Sequence, residues 1–120
     1  MARILVVEDT PANRALATKI LRAAGHDVLT AETGIAGIEL ARELHPDLVL
    51  MDLGLPDIDG WAAIAGIRAD AAISGLRVIA FTAHAMAGDR ERALAGGFDG
   101  YMSKPIDYET FADTVARFLP

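Results

Sequence analysis

The residues best suited to chemistry are Glu8-Asp9, Asp52, Thr82 and Lys104, the last within Ser103-Lys104-Pro105. Carboxylates brought together repel one another, and burial raises that cost, so a cation must compensate. The donors on offer are oxygens, with no histidine beside them and no cysteine in the chain, which favours a hard cation. Mg²⁺ suits best, because it takes one or two carboxylates and leaves positions for waters and phosphoryl oxygens. A carboxylate can also attack phosphorus and form an acyl phosphate. The metal would neutralise charge on both nucleophile and phosphoryl group. Lys104 would hold a phosphoryl oxygen as a mobile point charge, and the Thr82 hydroxyl would bond to another.

Each of these residues stands at the end of a strand candidate. Short apolar, β-branched runs alternate with longer helical patterns five times. The expected strands are Arg3–Val7, Asp27–Ala31, Leu48–Asp52, 77–82 and 100–102. The first, third and fourth are almost continuously apolar, the pattern of parallel strands covered on both faces. Thr10-Pro11 supplies an N-cap and a first-turn proline for the first helix, in which Leu16 and Ile20 share a face and which Gly25 closes. Thr33 caps the second, with Ile35, Ile38, Ala41 and Leu44 on its inner face. Asp59 caps the third, with Ile64 and Ile67 turned inward, and the fourth covers about 87–95, between Gly88 and Gly96-Gly97. Asp107 caps the last, where Phe111, Val115 and Phe118 fall at helical spacing.

Five strand–helix units with short connections imply right-handed crossovers and a doubly wound (βα)5 α/β fold, a five-stranded parallel sheet with helices on both faces. Ligands of such sheets bind beyond the carboxyl ends of the strands, where the strand order switches. The acids, the hydroxyl and the lysine all fall on that edge. No repeat, linker or low-complexity segment interrupts the chain, and the last helix runs to Pro120. One domain over 1–120 is expected, native as such or excised from a longer chain.

Bulk properties agree with this reading. A chain of 120 residues, 52% hydrophobic and 23% charged, can bury one core and is not disordered. Absence of cysteine excludes disulfides and thiolate metal sites and fits a reducing compartment. No apolar run approaches the roughly 20 residues that span a bilayer. The chain enters a strand-like run at once, without signal-peptide architecture, so a soluble cytoplasmic protein is expected. A formal net charge of −6 argues against nucleic-acid binding, which needs a basic patch.

Four pieces of the chain together resemble the response-regulator receiver family of two-component systems, the CheY-like, flavodoxin-like sandwich, over essentially its whole length. They are Ile4-Leu5-Val6-Val7-Glu8-Asp9; Pro46-Asp47 through Asp52-Leu53-Gly54-Leu55-Pro56 with Asp59-Gly60; Phe81-Thr82-Ala83; and Gly100-Tyr101-Met102-Ser103-Lys104-Pro105. Any one is a weak signal; four in order at domain-scale spacing are specific. Ala83-His84-Ala85-Met86 and Gly88-Asp89-Arg90-Glu91-Arg92 most resemble single-domain regulators of the DivK kind, and are also similar to receivers carried by hybrid histidine kinases.

The resemblance implies a role for each matching residue. Asp52 becomes the phosphoacceptor. Asp9 and Asp52 would ligate Mg²⁺, Glu8 would help directly or through water, and the Gly54 carbonyl would be a backbone ligand. Thr82 would move toward the phosphoryl group, and Tyr101 would be the aromatic switch whose ring turns inward with it. Lys104 would pair with the phosphoryl group, and the Lys104–Pro105 peptide would be cis. Gly54 and His84 occupy variable positions that tune loss of the phosphoryl group. The donor would be a histidine kinase or histidine phosphotransfer protein. The fourth helix, fifth strand and fifth helix, roughly 85–119, would bind a downstream protein. Such a domain assists its own phosphorylation and dephosphorylation without being a turnover enzyme, as a monomer or a weak phosphorylation-dependent dimer.

Two other classes compete. A Mg²⁺-dependent phosphohydrolase with Asp52 as nucleophile needs a second carboxylate just after it, where Gly54 stands, and a cap over its substrate. A flavin or nucleotide binder needs a phosphate-cradling loop after the first strand, where Glu8-Asp9-Thr10-Pro11 is acidic. Blander readings cover other residues. Tyr101 also reads as core packing, Ser103 as a loop residue, and His26 and His45 as surface residues. His84 either tunes the site or has no role. Trp61 packs at the start of the third helix, and the alternating charges of Asp89-Arg90-Glu91-Arg92 read as a solvated helix face.

Overall fold

The computed structural model describes residues 2–83 and 88–120. His84, Ala85, Met86 and the expected start of the fourth helix at 87 lie outside the described residues. Strands and helices alternate as β1 (Arg3–Val7), α1 (Pro11–Ala23), β2 (Asp27–Ala31), α2 (Gly34–Leu44), β3 (Leu48–Asp52), α3 (Gly60–Ala69), β4 (Val78–Thr82), α4 (Asp89–Ala95), β5 (Gly100–Ser103) and α5 (Phe111–Phe118). All strands are parallel, in the order β2-β1-β3-β4-β5. The order reverses between β1 and β3, which puts the ligand crevice above their carboxyl ends.

Alternation along the strands divides the core in two. Ile4, Val6, Leu48, Leu50, Ile79 and Phe81 turn to one face, against Ala17, Ile20 and Leu21 of α1 and Phe111 and Val115 of α5. Leu5, Val7, Val49, Met51, Val78 and Ala80 turn to the other, against Ala41 of α2, Ala63, Ile64 and Ile67 of α3 and Ala93 of α4. Helices on both sides are the reason these strands need no polar alternation.

Local chemistry sets the helix ends. Thr33 Oγ1 accepts the Ala36 N–H at 3.1 Å and Asp59 Oδ1 the Ala62 N–H at 2.8 Å, each satisfying an amide that has no partner within its helix. Gly25 closes α1 at φ 95°, with the His26 N–H donating to the Leu21 carbonyl, a left-handed termination that glycine adopts without strain.

Several expectations are corrected. Thr10 stands at the cap position of α1 but its hydroxyl makes no capping bond. Asp107 does not cap α5, which starts at Phe111 behind Thr110. Instead the Asp107 carbonyl and Oδ1 accept N–H groups of Phe111 and Glu109, winding a turn ahead of the helix. The inner row of α2 is Gly34, Gly37 and Ala41, while Ile35 is 51% exposed. Here α2 lies so close to the sheet that a β-carbon on Gly37 would come within 2.7 Å of Val7 Cγ2, so the smallest residues face inward and Ile38 and Leu44 are only partly buried.

β4 begins at Val78, one residue later than expected, and β5 runs on to Ser103, which pairs with Thr82 and is no loop residue. Asp89 is buried and pairs with Arg92 at 3.1 Å, so that segment is not wholly a solvated face. Trp61 packs at the start of α3 as expected, edge-on to Phe98 at 5.8 Å and under the Arg92 guanidinium at 5.4 Å. His45 is exposed; His26 is half-buried, its Nδ1 accepting the Ala2 N–H at 3.2 Å. Among the described residues no helix is long and apolar enough to cross a membrane.

Candidate functional site

Strand register assembles the site. Val7 pairs with Met51, so Glu8, the next residue, comes level with Asp52; Asp52 pairs with Phe81 and Thr82 with Ser103. The residues just past those pairs are Asp9, Gly54 and Lys104, and all rise on one edge. Glu8, Asp9 and Asp52 each offer a carboxylate oxygen, and these oxygens lie within 4.8 Å of one another. The Lys104 ammonium contacts Glu8 Oε1 and stands 3.3 Å from Asp52 Oδ2. Its Nζ also lies 5.1 Å from the centre of the Phe81 ring, whose negative face favours a cation.

Glu8 is wholly buried, and the Lys104 side chain is only 8% exposed. Burial pushes the Glu8 carboxyl above its usual range and the Asp52 charge adds to that, while Lys104 and the Thr10 N–H (3.1 Å) pull the other way. Among the described residues, three clustered acids face a single lysine, so the acids are in excess. The donors are all hard oxygens. That set fits a divalent cation such as Mg²⁺, which Glu8, Asp9 and Asp52 could hold.

Of the other expected residues, Gly54 lies beside Asp52 and Thr82 beside the Lys104 backbone, while Tyr101 packs against a different set of residues. The Gly54 N–H donates to Asp52 Oδ1 at 3.1 Å, which curls the chain after β3 back over the acid. Thr82 is buried at the end of β4, and its carbonyl accepts the Lys104 N–H at 2.8 Å. The Lys104–Pro105 peptide is cis. Tyr101 is half-buried against the core shared with α2, α3 and α4. Its hydroxyl oxygen is buried without a hydrogen-bond partner among the described residues. Burial, then the charge of Asp89, push the phenol upward.

Three contributors escaped the sequence reading. Phe81 reads as part of a strand and of the Phe81-Thr82-Ala83 piece, without a role of its own, yet its ring faces the lysine. Arg14 donates from Nη1 to the carbonyls of Glu8 and Asp9 at 3.0 and 3.4 Å and pairs through Nη2 with Glu32 at 2.9 Å. It clamps the loop that bears the acidic pair. Asp57 accepts the N–H groups of Gly34 and Ile35, joining the loop after β3 to α2. The strand pattern and the Phe81-Thr82-Ala83 piece point to Phe81's place; nothing local in the sequence distinguishes Arg14 or Asp57 from other surface charges.

Buried carboxylates that share one lysine at the switch point of a parallel α/β sheet define a receiver-type signalling module. Residues 4–116 match the response regulator receiver domain, and the chain belongs to that family. It is similar to the polar-differentiation response regulator DivK of Brucella ovis, 38% identical over 116 residues that make up 97% of this chain and 94% of that protein. Among solved structures it resembles the chemotaxis response regulator CheY4 of Vibrio cholerae, with a TM-score of 0.91, 25% identity and 99% of each chain covered. It also resembles the receiver domain of the sensor histidine kinase PA1611 of Pseudomonas aeruginosa, which holds a magnesium ion in its active-site cleft. There the TM-score is 0.87 and the identity 35%, with 98% of this chain and 96% of that one covered. The chain is a receiver domain of a response regulator, of the DivK-like kind.

Proposed function

We propose that residues 1–120 act as one receiver unit in which Asp52 accepts a phosphoryl group from a phosphohistidine of a histidine kinase or histidine phosphotransfer protein. The observation that carries this reading is Lys104 lodged between Glu8 and Asp52 beside the acid cluster. An Asp52 oxygen attacks phosphorus, the P–N bond to the partner imidazole breaks, and that nitrogen takes a proton from solvent. Bound Mg²⁺, held by Glu8, Asp9, Asp52 and the Gly54 carbonyl, would supply positive charge that offsets repulsion between the phosphoryl oxygens and the carboxylates. Lys104 exchanges its Asp52 contact for a phosphoryl oxygen, and the Thr82 hydroxyl binds another. In this way the domain assists its own modification without turnover of a substrate.

Phosphorylation then biases two conformations, as an added charge can when only one state satisfies it. Thr82 and Tyr101 carry the change to the face formed by α4, β5 and α5, where a downstream protein would bind. Residues 84–87, which precede α4 in the sequence, lie outside the described residues.

The test is intact mass after incubation with acetyl phosphate or phosphoramidate, with and without Mg²⁺, on wild type and Asp52→Asn. One phosphoryl group is expected on wild type only, and only with Mg²⁺. An adduct that persists in Asp52→Asn would remove Asp52 from the acceptor role.

A further inference from the structure

The chain that follows Asp52 is held at more than its two ends. At its base the Gly60 N–H donates to the Leu53 carbonyl at 2.9 Å. Beside the acid, the Gly54 N–H reaches Asp52 Oδ1. Between them the Asp57 carboxylate leaves its own neighbourhood and bonds to another element. Its Oδ1 accepts the Gly34 N–H at 2.8 Å and its Oδ2 the Ile35 N–H at 2.9 Å. Those are the first two amides of α2, which precede Asp57 by 23 and 22 residues. The Ala36 amide is already taken by Thr33 Oγ1. Ile58, the neighbour of Asp57, packs on the same spot: a β-carbon on Gly34 would lie 2.6 Å from Ile58 Cγ1.

We propose that Asp57 is a positioning residue for the acid pocket. By bonding both carboxylate oxygens to the start of α2 it restrains segment 53–59, and so holds Gly54, whose N–H bonds to Asp52 Oδ1, in place beside the acid. This rests on the reading of Glu8, Asp9, Asp52 and Gly54 as the Mg²⁺ site. A carboxylate suits the task because the amides at a helix start carry the positive end of the helix dipole and have no partner within the helix. Charge-assisted bonds to two adjacent amides also fix orientation, which one neutral bond would not. Asp57 itself touches no reacting atom. It acts through Gly54, as outer groups that orient metal ligands do.

Thr33 supplies the control, since its hydroxyl caps the same helix end through the Ala36 N–H. Wild type, Asp57→Ala, Asp57→Asn and Thr33→Ala are titrated with Mg²⁺ alone by calorimetry, and exchange of the Gly54 amide is followed by NMR in metal-free protein. Asp57→Ala is expected to weaken Mg²⁺ binding roughly tenfold, the low end for loss of an orienting outer group, and to speed Gly54 exchange. Asp57→Asn keeps one acceptor oxygen and should fall between it and wild type, which preserves the test if the alanine variant fails to fold. Thr33→Ala should lower Tm yet leave both readouts within twofold of wild type. Equal loss of affinity in the Asp57 and Thr33 variants, or none in either, overturns the proposal. Wild type that fails to bind Mg²⁺ overturns the metal-site reading itself, and the proposal with it.

Discussion

The two ends of the sheet carry similar residues under opposite conditions. At the amino ends Arg3 pairs with Asp27 at 3.5 Å, with side chains 47% and 56% exposed, and Asp47 accepts the Arg3 backbone N–H at 2.8 Å. At the carboxyl ends Lys104 lies between Glu8 and Asp52 with side chains no more than 10% exposed. Water screens the first set, so its members can be rearranged at small cost. The second has lost its water, and each charge there depends on the others. The first end only decorates the fold. The second holds more acid than base, an imbalance that a divalent cation would offset, and under the proposed function it is where the phosphoryl group would add its charge.

Removing the lysine breaks the comparison most severely. Lys104→Ala leaves Glu8 and Asp52 without their cation. The expected loss is about 3 kcal/mol, the low end for breaking a buried pair, because one acid can respond by taking up a proton. Thermal unfolding should show the loss in chelator and a smaller one in millimolar Mg²⁺, since metal binding to the folded state restores stability. Mg²⁺ binding itself should survive. A beryllofluoride-induced shift of the Tyr101 resonances, present in wild type, should be absent. Retained switching in this variant would separate Lys104 from the conformational change.

Neutralising Glu8 works in the opposite direction. Burial is the main cause of its raised pKa, so the folded state holds this proton more readily than the unfolded chain does. A raised carboxyl stabilises the fold below its ordinary value of 4.5, and that contribution is lost as pH rises through the folded-state value. Glu8→Gln removes the titration and leaves Asp52 to Lys104. In metal-free buffer it should therefore unfold at a higher temperature than wild type, by a few degrees. The gap should open as pH rises above the ordinary glutamate range and close below it. The same variant should bind Mg²⁺ more weakly. Equal Tm values at neutral pH would show that Lys104 already cancels the cost of burying Glu8.

The contrast between the two ends also marks what could be read from the chain. Strand ends are local features: an apolar run that stops at Glu8, Asp52 or Thr82 announces its edge, and a parallel sheet aligns those edges. Thr33 and Asp59 were readable as caps because a cap acts within three residues. Ile35 was misplaced because helical spacing shows which residues share a face, not which face lies close enough to the sheet to admit only glycine and alanine. Asp107 misled because its bonds wind a turn in front of α5. Arg14 and Asp57 were invisible for a different reason. Their partners, the Glu32 carboxylate and the amides of α2, come from distant positions, and no spacing rule links a charge to an element it meets only after folding.

The mildest prediction tests the exposed end. Arg3→Ala removes one solvated ion pair and a 3.3 Å bond to the Leu44 carbonyl, while its backbone N–H still reaches Asp47. The cost should be about 0.5 kcal/mol, typical of exposed pairs. It should shrink further in 1 M NaCl, where the screening length falls to about 3 Å. Phosphorylation by phosphoramidate should proceed at the wild-type rate. The buried end should respond less to the same salt, because buried pairs such as Lys104 with Glu8 and Asp52 are screened far less than exposed ones. If instead Arg3→Ala slowed phosphorylation, charge at the amino ends would reach the acid pocket through the length of the strands, and the division between an inert end and a reactive one would fail.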